Sequence, residues 1–207
     1  MGLATYDELK DSVQDWLNRS DTLPVADFIE MAEADMSRQL RTSDMLSRAT
    51  ATVNAQFTKL PTNFIGMRGI ELQTDPVISL KYLTPQAMDE YRHEDASGQP
   101  IYYSIMAGTI ELVPVPDTST YTIEIMYYSK IPGLSANQTS NWVLDRHPDL
   151  YLMGALMNAA PYLIDDQRIP IWAGRYNQII EQINLEEERK KYGGTTPAVN
   201  AKPFGYT

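Results

Sequence analysis

The chain has 207 residues, 43% hydrophobic and 21% charged, which suits one domain, or one domain carrying an insertion, with a core of its own. It contains no cysteine, which excludes disulfides, thiolate nucleophiles, Cys-ligated zinc and iron–sulfur clusters. A formal net charge of −10 opposes tight nucleic-acid binding, because phosphate contacts need cationic side chains to displace counterions.

The same acidity suits either plain solubility or a surface that lets DNA pass without holding it. No stretch reaches the roughly 18 apolar residues that cross a bilayer. The longest run, residues 150–160, is interrupted by Asn158 and reads as a buried helix. The first residues lack a basic segment followed by an apolar one, so no secretory signal is expected. Tyr6 stands where a myristoylation site needs Ser or Thr.

In chain order, residues 5–18 read as a first helix, with Thr5 and Glu8 as a capping box and Leu9, Val13, Trp16 and Leu17 on one face. Ser20-Asp21-Thr22 forms a turn, and Pro24 opens a second helix. Its apolar positions are Val25, Phe28, Ile29, Ala32, Met36 and Leu40. A short connection makes the two an antiparallel hairpin that needs a further partner. From Arg48 the period changes to two, with Ala49, Ala51 and Val53 alternating with Thr50 and Thr52. Residues 57–60 are expected as the returning strand, and residues 64–72 and 77–83 as two more around the turn Thr74-Asp75-Pro76.

Thr84 and Pro85 cap a short helix to about Arg92, and residues 95–99 are a loop. Residues 101–106 and 109–113, joined by Ala107-Gly108, predict a tight hairpin. A turn over 114–120 leads to residues 121–129, where Tyr121, Ile123, Ile125 and Tyr127 face one way. The expectation is an antiparallel meander with one buried face. A polar loop, 132–141, precedes Trp142 and a long central helix over 148–164, slimmed by Gly154, Ala155, Ala159 and Ala160. Asp165-Asp166 turn the chain into a last helix that Pro170 starts, with Trp172, Tyr176, Ile179, Ile180 and Ile183 as its stripe. Beyond Tyr192 periodicity stops, and the rest reads as an extended tail.

The fold class expected is therefore α+β: a helical bundle from N- and C-terminal helices, an inserted antiparallel β-sheet, and an extended C-terminal arm. The divisions are residues 1–45 for the N-terminal bundle helices and 46–134 for the β insertion with its short helix. Residues 135–192 form the C-terminal bundle helices and 193–207 the tail.

Chemistry is sparse. His93 lies in a polar loop, and His147 in Asp145-Arg146-His147-Pro148-Asp149 reads as a turn opening a helix, with Asp149 at the positive end of its dipole. An enzyme centred on His147 needs converging partners that no motif supplies. Asp165-Asp166 suit a turn better than a shared metal site, since adjacent side chains diverge. Phosphate loops and a nucleophile elbow are missing. Arg189-Lys190-Lys191 follow Glu186-Glu187-Glu188 at a helix C-terminus, where they answer the helix dipole. Tyr102, Tyr103, Tyr127 and Tyr128 offer a stacking platform for sugars or bases, the alternative functional reading, although half of them must face a core. We expect no catalytic residue, no cofactor and no metal. The tail keeps Val199, Phe204 and Tyr206 and is stiffened by Pro197 and Pro203, a pattern suited to extended binding on a partner.

An ordered series of segments then points to a family. It runs through Tyr6-Asp7-Glu8-Leu9-Lys10, Asp15-Trp16-Leu17-Asn18-Arg19, Phe28-Ile29-Glu30-Met31-Ala32-Glu33-Ala34 and Leu60-Pro61-Thr62-Asn63-Phe64. It continues through Tyr82-Leu83-Thr84-Pro85, residues 121–134 with Tyr127-Tyr128-Ser129-Lys130-Ile131-Pro132, Asn141-Trp142-Val143-Leu144 and Asp149-Leu150-Tyr151-Leu152-Met153-Gly154-Ala155-Leu156. Together these resemble head-to-tail adaptor (connector) subunits of tailed bacteriophages. The resemblance implies a structural virion protein at the head–tail interface, assembled in the host cytoplasm. It further implies a homo-oligomeric ring, usually a dodecamer, attached to the portal protein, with tail or nozzle proteins beneath. Double-stranded DNA would pass its lumen without specific binding, and no membrane is involved. In related adaptors the helical part and an extended C-terminal arm contact the portal, so the resemblance carries over the tail as a region. Within it, the tail's own apolar and proline positions, Pro197, Val199, Pro203, Phe204 and Tyr206, are the expected partner-binding residues.

Overall fold

The computed structural model describes residues 2–18, 23–92, 97–117, 121–162 and 167–192. Its helices are α1 (Tyr6–Leu17), α2 (Val25–Gln39), α3 (Pro85–Tyr91), α4 (Trp142–Arg146), α5 (Pro148–Ala159) and α6 (Ile169–Tyr192). Its strands are β1 (Leu46–Val53), β2 (Phe57–Lys59), β3 (Phe64–Leu72), β4 (Ile78–Ser79), β5 (Lys81–Tyr82), β6 (Tyr102–Met106), β7 (Thr109–Val113) and β8 (Tyr121–Ser129). The α+β class stands. The chain divides into one unit of residues 1–44 and 131–207 and a second of residues 45–130.

In the helical unit, Thr5 caps α1 by accepting from the Glu8 N–H at 3.3 Å. The Glu8 carboxylate answers at the Ala4 N–H, 2.8 Å, one residue earlier than a capping box places it. Asn18 ends α1 in the left-handed region, φ 51°, which Asn tolerates better than most residues. Leu9, Val13 and Leu17 are buried as expected, but Trp16 is 46% exposed. On α2, the expected stripe Val25, Phe28, Ile29, Ala32 and Met36, with the capping residue Leu40, is buried.

Central place goes to α5, which is buried nearly all round and packs against α1, α2 and α6. Gly154 is the reason those helices approach so closely. A Cβ there would stand 3.0 Å from the Ala32 Cβ and 3.1 Å from Tyr176 Cε2. The helix is shorter than its apolar run predicts: it ends at Ala159 and passes into a 3₁₀ turn, Ala160–Tyr162. Asn141 adds an unforeseen short helix, α4, by accepting from the N–H groups of Val143 and Leu144. In α6 the stripe Trp172, Tyr176, Ile179, Ile180 and Ile183 is buried, and the helix begins one residue before Pro170.

The second unit holds two four-stranded sheets, ordered β1-β8-β3-β4 and β2-β7-β6-β5, rather than one meander. Both contribute to one core: Val53, Ile70, Leu72, Ile123, Ile125 and Tyr127 from the first, Tyr103, Ile110 and Leu112 from the second. The hairpin of β6 and β7 forms as predicted, with Ala107 and Gly108 at positive φ. Other pairings differ from expectation. Residues 57–59 do not return along β1 but pair with β7 in the other sheet. Residues 77–83 split at the buried Leu80, sending β4 to β3 and β5, in parallel, to β6. β8 pairs with β1 and β3, not with its sequence neighbour β7. Buried-face alternation in β8 is as read, with Ile123, Ile125 and Tyr127 inside. Period-two patterning sets which face of a strand is buried, while the choice of neighbour depends on long-range closure.

Candidate interaction surfaces

His147 is a turn residue. It ends α4, donating its N–H to the Val143 carbonyl at 2.7 Å, and its own carbonyl receives the Leu150 N–H at 3.0 Å. Asp149 accepts from the Leu150 N–H at the start of α5. Among the described residues, no group of three or more His, Asp or Glu side chains is placed to hold a metal ion. His93, Asp165-Asp166 and the tail residues Pro197, Val199, Pro203, Phe204 and Tyr206 lie outside the described residues.

Three buried carboxylates are committed to holding the chain in place. Glu33 of α2 accepts the Leu134 N–H at 2.7 Å and the Tyr151 hydroxyl at 3.0 Å. Asn141 donates to Tyr151 at 2.6 Å and to the Pro132 carbonyl at 2.7 Å, so one network fixes both ends of the polar loop. Burial pushes the Glu33 carboxyl above its ordinary range and the Tyr151 phenol far above its own. Glu187 of α6 accepts from the Ser43 N–H at 2.8 Å and from Lys190 at 2.6 Å. Although burial pushes its pKa up, the Lys190 and Ser43 hydrogen bonds win and the net shift is downward. Glu111 of β7 receives Gln56 at 2.9 Å and Arg92 at 2.5 Å. Glu33 was legible in part: it falls among Ile29, Ala32 and Met36 on the buried face of α2, where an acid needs partners.

The four tyrosines do not make a platform. Tyr103 and Tyr127 point into the core, Tyr102 packs on Tyr91 of α3 with ring centroids 4.9 Å apart, and Tyr128 belongs to the other sheet. A depression lined by Arg68, Gly69, Glu71, Glu124 and Met126 holds about 170 Å³, below the roughly 300 Å³ at which ligand pockets begin.

What the structure does offer is surface. On α1, the exposed Asp7, Glu8, Asp11 and Asp15 lie opposite the buried arc of Leu9, Val13 and Leu17 and make one acidic face. Large apolar groups stand exposed on both units: Trp16, Met31, Tyr162, Ile171 and Leu185 on the helical one, Phe57, Val77, Tyr82, Ile101 and Met106 on the β one. Such groups mark contact surfaces when they gather, although single ones are ordinary.

No curated protein matches the sequence. A protein family does, described as SU10 adaptor protein, over residues 4–200, a span that takes in both units. The chain therefore belongs to the SU10 adaptor protein family, in agreement with its resemblance to the head-to-tail adaptor subunits of tailed bacteriophages.

Proposed function

We propose that this protein is a non-enzymatic structural component of the virion that forms an adaptor ring between the portal and the tail and continues the DNA channel. The observation that carries the reading is the adaptor-family match across both units. A ring needs head-to-tail contacts in which each copy presents two different complementary faces. The exposed apolar groups on each unit give it surfaces to present. The acidic face of α1 and the net charge of −10 favour passage of DNA over its retention. The buried carboxylates serve the fold, which suits a part that works through its surfaces. Partners on this reading are the portal protein above, tail or nozzle proteins below, and further copies around a dodecamer assembled in the host cytoplasm.

Residues 195–207 act as the assembly arm, through Pro197, Val199, Pro203, Phe204 and Tyr206. Burying Phe204 and Tyr206 on a partner recovers roughly 3–5 kcal/mol before the ordering cost, and a ring repeats that gain at every copy. The test mixes the purified full chain with portal rings of the same virus. Light scattering should show a monomer alone, and electron microscopy a closed ring on the portal. Deleting 195–207 should leave the melting temperature of the free protein unchanged and weaken attachment. Failure of the full chain to bind that portal refutes the function, and full-affinity binding by the truncated chain refutes the role of the arm.

A further inference from the structure

Among the described residues, the strand orders leave four edge strands in the β unit: β1 and β4 in one sheet, β2 and β5 in the other. Three are blunted in the way soluble proteins usually blunt them, by brevity and by lysine. β4 and β5 have two residues each and β2 three, with Lys81 on β5 and Lys59 on β2. β1 is the exception. It has eight residues, Leu-Ser-Arg-Ala-Thr-Ala-Thr-Val, with no proline, a single charge at Arg48 that is paired with Glu124 of β8, and an unbroken eight-pair register against β8.

The backbone geometry tells which groups of β1 are free. The Gln73 N–H donates to the Thr122 carbonyl, so the even-numbered residues of β8 turn their peptide groups toward β3. Tyr121, Ile123, Ile125 and Tyr127 therefore bond β1, through Val53, Ala51, Ala49 and Ser47. Leu46, Arg48, Thr50 and Thr52 direct their N–H and C=O groups away from the sheet. Among the described residues, no strand pairs with that side of β1.

We propose that the edge of β1 is a strand-addition site and that its occupant is residues 196–203 of a neighbouring copy. Unpaired, evenly spaced peptide groups select an extended segment. In this chain, residues 196–203 supply eight positions, matching the eight of β1. Their prolines, Pro197 and Pro203, are six apart and so share one side of an extended strand. The other side carries Thr196, Ala198, Asn200 and Lys202, each with its N–H, facing Thr52, Thr50, Arg48 and Leu46 in antiparallel order. The side with the prolines lacks donors at two positions, so the added strand ends the sheet instead of inviting another. Pairing β1 with β1 would be isologous and stop at two copies, whereas edge and arm are different surfaces and close a ring. The inference rests on the ring reading, and it leaves Phe204 and Tyr206 free to meet the portal.

The chain has no native cysteine, so the contact is open to directed cross-linking. One preparation carries Thr50→Cys and a second Ala198→Cys, and the two full-length chains are mixed, assembled on portal rings and mildly oxidised. A cross-linked dimer on a non-reducing gel is the expected product, formed in rings and absent from the free chains. A proline pair then reads the register: Asn200→Pro removes a donor that faces β1, and Ala201→Pro removes one that faces outward. The first should weaken ring assembly about three- to tenfold, the loss expected for one hydrogen bond, and the second should have no effect. Rings that form without the cross-link, or that suffer equally from both prolines, overturn the strand addition while leaving the ring in place. Absence of rings altogether overturns the function beneath it.

Discussion

Replacing Glu33 by alanine should be among the most damaging single changes in the helical unit. The substitution removes the acceptor of two buried donors, the Leu134 N–H and the Tyr151 hydroxyl. Each buried donor left unsatisfied costs about 1–3 kcal/mol. Leu134 follows the exposed Gly133 and regains some water, so the total should be about 2–4 kcal/mol. For a chain of this size that is a fall of about 5–15 °C in melting temperature. Glu33→Gln keeps a carbonyl oxygen for both donors and removes the charge, so it should retain most of the stability. The two variants also separate in their pH dependence. Burial raises the folded-state pKa of Glu33 above the ordinary 4.5, against the pull of the Leu134 and Tyr151 hydrogen bonds. The stabilisation linked to this proton is thus fully present below about 4.5 and is lost as pH rises through the raised folded value. Urea unfolding of wild type and both variants between acid and neutral pH measures this, with the wild-type slope missing from Glu33→Gln. A loss below about 0.5 kcal/mol for Glu33→Ala, the size of an ordinary surface change, would refute the reasoning. So would an equal loss for Glu33→Gln at neutral pH.

Gly154→Ala should destabilise by about 1–2 kcal/mol despite alanine's better helix propensity, because its methyl meets Ala32 and Tyr176 at 3.0 and 3.1 Å. Ala32→Gly in the same chain should recover part of that loss, and a thermodynamic double-mutant cycle would detect the coupling. Glu187→Gln should flatten the acid limb of stability: its folded pKa is depressed, so its contribution is present above the ordinary 4.5 and lost as pH falls through the lower folded value. Acid titration of unfolding, compared with wild type, gives the answer. Replacing His93 and His147 together by Gln should leave virion assembly and DNA delivery intact, with delivery from well-formed particles as the readout.

Local pattern was enough to place most elements. Helical spacing over Val25, Phe28, Ile29, Ala32 and Met36 and over Trp172, Tyr176, Ile179, Ile180 and Ile183 named the buried stripes correctly. The slim face of α5 was equally legible, because only small residues such as Gly154 let helices come within contact distance. Thr5 and Thr84 do their capping with side chains only three residues from the groups they satisfy. Absence of cysteine and the acidic balance removed whole classes of chemistry before any geometry was known.

Pairing was a different matter. Whether residues 57–59 return along β1 or join β7, and whether β8 lies beside β7 or between β1 and β3, depends on which apolar faces close over a shared core. Alternation within a strand is the same in either arrangement, so the sequence carries no vote between them. Glu33 shows the same limit on one residue: its place on a buried stripe was visible, but its partners lie 101 and 118 residues away, at Leu134 and Tyr151. The free edge of β1 is likewise a property of the sheet and not of the strand, since only the strand order decides which backbone groups are left without a neighbour.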